Sequence, residues 1–441
     1  MSSSLSWLNI RLITFNCARN IVDANLFGSH LLKHGGNGTL ENPEILVLCL
    51  QEVAPIGYAF LGGFLLEPYF EAFRLAVEAA TRDSNGYKNI ITHNAGMTAI
   101  MVFVRDDVID RVSWTDIAGT GVGIQNAAHK GAVGARISYQ IGDYHDNSTS
   151  TILTFVSAHL APGENGTERR NEDWKAICQR LIFSNSQTQI FEQSAEEQQD
   201  EEGMPLISNP SASHIPSGIY LPNSYLFVAG DFNYRTSGER PGINDHQLFP
   251  RRTDDVNHPQ HFTHLLPHDQ LIKEQQAHNT MHHLSELPIN FPPSYKYSIE
   301  ARKAATTGTS REFSWAKNRW PSWCDRILYL ENPSGGTDEY RKVDAQSYDI
   351  LPLFPSSDHR PVVLSVAVPL MANNPELEPF YPPPFDMDPD WQANRSAART
   401  KEICVGILAL LALTWEGNAL GLAICLAMTV GYYALKGYFT T

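Results

Sequence analysis

Five apolar runs in this chain end on, or lead out of, groups that resist burial. LITFN stops at Asn16, LVLCLQE at Glu52, TFVSAH at His159 and LFVAGDFN at Asp231 and Asn233, while SSDHRP sets Asp358 and His359 just ahead of PVVLSVAV. Any one ending is ordinary turn chemistry, because Asn and Asp favour turns. Five together point to strand ends converging on one edge as a shared site. Glu52 with Asn16 offers hard oxygen ligands and no sulfur, which suits Mg²⁺ rather than zinc. Asp231 is suited to take a proton from water, and Asn233 to donate hydrogen bonds to oxygens that gain charge in a transition state. His159 and His359 add donors or acid–base groups. The set describes metal-assisted hydrolysis of a phosphate ester, the metal polarising phosphoryl oxygens and the base making the nucleophile.

The elements that must position these residues are short β-branched strands. NIRLITFN, EILVLCLQ, MTAIMVFV, GARISYQI, TILTFVSAH, SYLFVAGD, DRILYL and PVVLSVAV read as strands, and EPYFEAFRLAVEAATR and ERRNEDWKAICQRLIFSN as amphipathic helices. The mixture predicts an α/β sandwich in one domain over residues 1–370, its sheets covered by helices. A Ser-, Gln-, Glu- and Pro-rich stretch over 184–222 reads as a flexible insertion, and residues 371–402 as a Pro-rich acidic linker.

The chain has 441 residues and a net charge of −15, a balance that argues against a nucleic-acid binder. Six scattered cysteines form no metal spacing and fit a reducing compartment. The first sixteen residues lack a basic segment followed by a sustained apolar stretch, so no secretory signal is expected. Residues 403–435 are almost wholly apolar and predict a membrane anchor. One helix of that length would measure roughly 50 Å, beyond a hydrocarbon core of about 30 Å, so a single span after an interfacial helix, or a hairpin turning at 416–418, is expected. Arg395, Arg399 and Lys401 favour a cytosolic position for that flank. The histidine-rich segment over 258–283 brings His258, His261 and His264 close in sequence, but without cysteine or a recognised ligand spacing a structural or solvated role is expected.

GDFNYR (230–235) and PSWCDRIL (321–328) together resemble the two signature motifs of inositol polyphosphate 5-phosphatases, within the endonuclease/exonuclease/phosphatase superfamily. TFNC, LQEV, HKGAVGARI, SAHLAPGE with RRNEDW, FPPSYKYS and SSDHRPV follow in the family's order, so the resemblance spans residues 8–368. It implies a four-layered α/β/β/α sandwich. It also implies that Asn16 and Glu52 form the Mg²⁺ shell, Asp231 activates water and Asn233 orients the phosphate. By the same motifs His159 and His359 contact the scissile phosphate, Asp325 orients His359, and Asp358 completes the metal or water network. The bland alternative for Asp325 is a salt bridge to Arg326. Tyr295, Lys296, Lys317 and Arg319 match positions that contact the 4-phosphate, and Lys130 a phosphate-proximal position. A cationic pocket is what a vicinal bisphosphate requires. Departures are Phe15 and Val228, where Trp is common, and Ala132, where a second Gly is common.

The expected activity is therefore removal of the 5-phosphate from phosphatidylinositol 4,5-bisphosphate, with Mg²⁺ as cofactor and a membrane lipid as substrate. The arrangement resembles the small tail-anchored fungal enzymes of the family at the endoplasmic reticulum, with the catalytic domain in the cytosol. The alternatives are a neutral sphingomyelinase-like phosphodiesterase, which needs no 4-phosphate cations, and an inactive lipid-binding scaffold, which needs no intact catalytic set.

Overall fold

The structure, a computed structural model, describes residues 6–33, 42–82, 84–141, 150–184, 188–189, 216–308, 313–333, 342–371 and 381–439. For 188–189, 415–417, 420 and 434–439 only the backbone is described.

Two six-stranded sheets form the centre. In chain order the strands are β1 (Trp7–Asn16), β2 (Ile45–Gln51), β3 (Tyr87–Ala95), β4 (Thr98–Arg105), β5 (Val112–Gly121), β6 (Gly131–Gln140), β7 (Ser150–His159), β8 (Thr188–Gln189), β9 (Tyr225–Asp231), β10 (Asp325–Tyr329), β11 (Asp344–Ile350) and β12 (Val362–Pro369). One sheet runs β11-β12-β1-β2-β4-β3 and the other β10-β9-β7-β6-β5-β8. β1 with β2 and β7 with β9 are the parallel pairs.

Strands buried on both faces read as continuous apolar runs. In β1, Leu8, Ile10 and Leu12 enter the core between the sheets, whereas Ile13 and Phe15 face outward. In β9, Tyr225, Phe227 and Ala229 point inward and Leu226 and Val228 outward. The helices α1 (Ala24–Leu31), α2 (Ile56–Leu61) and α3 (Glu67–Ala80) precede the second half of the chain. They are followed by α4 (Thr167–Arg180), α5 (Gln270–Gln276) and α6 (Ile299–Thr306). Phe27, Phe70 and Phe73 of α1 and α3 cover the outer face of the first sheet, and Trp174, Ile177 and Leu271 of α4 and α5 that of the second. This is the expected α/β/β/α layering.

All eight expected strands and both expected helices are present. β3 and β11 were not legible because their half-exposed, polar-rich sequences lack apolar runs, and the largely buried β5 was not because VSWTDIAGTG interleaves polar and small residues with apolar ones. The insertion expected over 184–222 lies largely outside the described residues.

The C-terminal part departs from expectation. α7 (Trp391–Leu413) starts inside the expected linker and ends inside the expected anchor, and α8 (Trp415–Phe439) follows an extended Thr414. Ala398, Glu402 and Gly406, each four residues apart, bury one stripe of α7, which packs against α2 near Phe60 and Leu61. Among the described residues no helix is long and apolar enough to cross a membrane. The break at Thr414 and the docked stripe divide the apolar stretch 403–435 between two helices of different surroundings.

β7 and β9 come too close for a side chain at Gly230, where a Cβ would lie 1.9 Å from the Ala158 carbonyl oxygen. Gly230→Ala is therefore expected to lower unfolding free energy by about 1–3 kcal/mol, read by urea denaturation. An unchanged midpoint would contradict the registered β7–β9 pairing.

Candidate active site

Alternation decides which way the strand ends point. His159 lies opposite Asp231 in the parallel β7–β9 pair, and Asp231 opposite Asp325 in the antiparallel β9–β10 pair. All three continue the inward-facing positions of their strands, so they form one row at the edge of the inter-sheet core. β6 extends the row with Gly131 opposite His159, which leaves Lys130 at its margin. Asn16, inward-facing at the end of β1, closes over the row from the other sheet and donates its Nδ2 to Asp231 Oδ2 at 2.8 Å.

A polar floor separates this row from the apolar core. Thr14 Oγ1 donates to Gln51 Oε1 at 3.2 Å, and Gln51 Nε2 donates to Ser157 Oγ at 3.2 Å, crossing from sheet to sheet. Ser357 Oγ donates to the Asn16 carbonyl at 2.6 Å and accepts the His359 N–H at 3.0 Å, bringing the segment before β12 to the same edge.

Each buried charge has a partner. Asp231, 1% exposed, accepts from His159 Nε2 at 3.2 Å and from the Asn233 N–H at 3.1 Å. Burial opposes its ionisation, but the His159 hydrogen bond and the charges of His359 and Lys130 outweigh it and hold the carboxylate well below its usual range. Burial, reinforced by Lys130, pushes the His159 imidazole down, so it is neutral. Burial likewise lowers the Lys130 ammonium, which touches the His159 ring and lies 3.8 Å from Glu52.

His359 Nδ1 and Asp325 Oδ2 are 2.8 Å apart, and Ser294 Oγ donates to the same Asp325 oxygen at 2.7 Å. Burial alone would lower the imidazole, but the Asp325 charge and hydrogen bond raise it to about 9. Burial raises the Asp325 carboxyl, so the pair holds a proton between its two groups through neutral pH. The salt bridge of Asp325 to Arg326 is not formed. Arg326 points to the other face and pairs with Asp269 at 3.0 Å and Glu286 at 2.6 Å.

The carboxylate and amide oxygens at this edge are the donor types a hard divalent cation takes, whereas His359 in its protonated state is not a ligand. Ligand atoms of Asp231, Asp325 and His359 lie within 4.8 Å of one another, and the buried Asp325 Oδ1 has no hydrogen-bond partner among the described residues. Glu52 stands outside that trio, at the mouth, with Arg19 Nε 3.3 Å from its carboxylate. Its φ of 45° is a left-handed conformation unusual for a side-chain-bearing residue. Backbone bonds on both sides hold it there, Arg19 N to Glu52 O at 2.7 Å and Val53 N to Met97 O at 3.2 Å.

The proposed phosphate-contact cations form a looser rim. Lys296 pairs with Asp358 at 3.3 Å and Arg319 with the buried Glu164 at 3.3 Å, while Lys317 is exposed. Asp358 thus turns toward Lys296 rather than into the row. Tyr295 is buried, its ring 4.4 Å from that of His359 and 4.6 Å from the Arg235 guanidinium. The His-rich segment divides between the two expected roles: His258, His264 and His278 are exposed, His258 accepting from Gln260 N at 3.1 Å, while the buried His261 stacks on Phe262 at 4.5 Å.

Sequence reading missed two supports. Arg235 donates Nε to the Asn233 carbonyl at 2.9 Å and contacts Asn233 Oδ1, leaving the Asn233 amide to donate to Leu160 O at 3.1 Å. Ser294 fixes Asp325. Both lie within motifs already singled out, beside residues given roles, and a polar group next to a catalytic one was the available signal.

The family model described as Endonuclease/Exonuclease/phosphatase family 2 matches residues 13–365. Type II inositol polyphosphate 5-phosphatase 14 of Arabidopsis thaliana is 28% identical over 294 residues, covering 65% of this chain and 24% of the relative. Inositol-1,4,5-trisphosphate 5-phosphatase 1 of Schizosaccharomyces pombe is 26% identical over 279 residues, 63% of this chain and 19% of the relative. The chain thus spans a quarter or less of the length of these relatives. The solved 5-phosphatase domain of SPsynaptojanin, in complex with inositol (1,4)-bisphosphate and a calcium ion, shares the fold. Its TM-score is 0.56 at 21% identity, over 90% of this chain and 91% of that one.

The His359–Asp325 pair yields a sign. A folded-state imidazole at about 9 lies above the unfolded value of about 6.5, so the pair's contribution to stability is full below pH ~6.5 and is lost as pH rises through about 9. Asp325→Asn removes the largest raising influence and leaves burial opposed only by the charges of Asp231 and Asp358, so the His359 resonance is expected to titrate clearly below 9 by NMR. A midpoint still near 9 would show that Asp325 is not the cause.

Proposed function

Because the chain belongs to endonuclease/exonuclease/phosphatase family 2 over residues 13–365, we propose that it is a metal-dependent phosphoinositide 5-phosphatase acting on phosphatidylinositol 4,5-bisphosphate at a membrane surface. The observation that carries this reading is the single row of His159, Asp231 and Asp325, closed by Asn16 and His359 and bordered by cations. The similarity to inositol polyphosphate 5-phosphatases supports the choice of bond.

In this reading Asp231, ionised and fixed by three donors, orients a water against the phosphorus and takes its proton as the new P–O bond forms. His359, protonated at neutral pH by its bond to Asp325, directs positive charge to a phosphoryl oxygen. Neutral His159 and the Lys130 ammonium contact the same phosphate from the other side of Asp231. Asn16 and Glu52 are the residues assigned to hold Mg²⁺. When bound, the ion polarises the phosphoryl oxygens and offsets their growing charge. Lys296, Lys317 and Arg319 take the 4-phosphate, the first two-point grip requiring Lys296 and Arg319 to share or exchange their carboxylate partners Asp358 and Glu164. Asp358 acts through Lys296.

Membrane attachment is part of the proposal. Leu422, Ile424, Leu426, Met428 and Val430 of α8 and Ile407, Leu408 and Leu411 of α7 are exposed, an apolar surface that suits lipid. We assign α8 and the exposed face of α7, opposite the stripe docked on α2, to the membrane, the endoplasmic reticulum being the expected site, with the sandwich on the cytosolic side. A lipid-held enzyme meets a lipid substrate at raised effective concentration.

The test is phosphate release by the full chain from vesicles carrying phosphatidylinositol 4,5-bisphosphate, with the product identified. Formation of phosphatidylinositol 4-phosphate, its loss on chelation and its return with Mg²⁺ are expected, and Asp231→Asn should lower kcat by about 10²–10⁴-fold. Cleavage of sphingomyelin without release from the inositol lipid would overturn the reading. So would undiminished release in chelator.

A further inference from the structure

Lys130 reaches the catalytic row from the end of the hairpin loop 122–130, which joins β5 to β6. The loop is tightly wound, and at its base Lys130 O accepts from Val122 N at 2.9 Å and Gly123 N at 3.2 Å. Gln125 and Asn126 adopt φ of 54° and 64°, and short internal bonds such as Gly123 N to Ala127 O at 3.1 Å close it. The rest of its support comes from elsewhere. Met97 N donates to Ala128 O at 3.0 Å, and Arg180 Nη1 donates to Asn126 Oδ1 at 2.9 Å. The Ala128 N–H, buried, is taken by Glu402 Oε1 at 2.8 Å, from 274 residues further along the chain.

Glu402 is 6% exposed; its Oε2 lies 3.4 Å from Arg399 Nη1 on the same helix, which leaves Oε1 to take the loop amide. α7 is brought to the loop by close packing. A Cβ at Gly57 would lie 2.9 Å from Leu410 N, and Arg399 Nη1 donates to Phe60 O at 2.6 Å. The same C-terminal segment grips the other flank, where Asp388 accepts from Arg180 Nε at 3.0 Å while Arg180 holds Asn126. One residue, His129, separates Ala128 from Lys130, whose side chain meets both His159 and Glu52. A long, flexible lysine is only as well placed as the backbone that bears it.

We propose that Glu402 is a positioning residue. Through the Ala128 N–H, α7 clamps the Lys130 loop and sets the ammonium between His159 and Glu52, so the helix that leads to the apolar C-terminal segment is a working part of the catalytic site. The kinetic consequence rests on the phosphatase reading given above. The clamp itself does not.

The experiment uses the full chain with Glu402→Leu and Glu402→Gln, the second keeping an amide oxygen that can accept the Ala128 N–H. Hydrogen exchange is followed without substrate, and kcat and KM with phosphatidylinositol 4,5-bisphosphate vesicles. In Glu402→Leu, exchange at Ala128 is expected to rise about tenfold or more while the β7 and β9 amides stay protected, which shows the fold intact. kcat is expected to fall about tenfold with little change in KM, and Glu402→Gln to recover most of both effects. Unchanged exchange at Ala128 in Glu402→Leu overturns the clamp, and faster exchange with unchanged kcat overturns the positioning of Lys130. If no form of the protein releases phosphate yet Ala128 exchange still rises, the clamp stands and the phosphatase reading alone fails.

Discussion

Everything in this site follows from burying ionisable groups at the seam of two sheets. A carboxylate removed from water is sustained only by charges and hydrogen bonds that replace its hydration. Asp231 obtains them from Asn16, His159 and the Asn233 N–H, and Asp325 from His359 and Ser294. Those partners sit on both sheets and on the segment before β12, so the pairing that keeps the charges buried also fixes the catalytic geometry. Removing one member would leave another buried charge without compensation, and stability and chemistry are for that reason coupled here.

The surrounding structure protects this arrangement at three levels. Beneath it, Thr14, Gln51 and Ser157 carry hydrogen bonds across the sandwich and form a transition from apolar core to polar site. Behind Asp325, the buried Arg326 is fully engaged by Asp269 and Glu286, so it does not compete with His359 for the carboxylate. At the margin, Glu164 and Asp358 keep two rim cations oriented. An acidic body with a few well-held cations beside its site can focus an anionic substrate there without binding anions generally.

Much of the site was legible before any coordinates. Buried strands announce themselves as apolar runs, and a polar residue ending such a run is conspicuous, which is why Asn16, Glu52, His159, Asp231 and Asn233 could be named together. Partners were less legible. Asp325 and Arg326 are adjacent and opposite in charge, yet alternation along β10 turns them to opposite faces, and no local pattern reveals that Arg326 meets Asp269 and Glu286. β3, β5 and β11 were missed because tertiary pairing, rather than their own composition, makes them strands.

The amino-acid order by itself determined the eight buried strands that carry the site, the layered class and the residue types available for phosphate-ester chemistry, because period and composition are local properties. Tertiary structure alone decided the row of His159, Asp231 and Asp325, the turning of Asp358 toward Lys296, and the docking of α7 on the Lys130 loop. These depend on register and on contacts between residues up to 274 positions apart, and distance along a chain carries no direction in space.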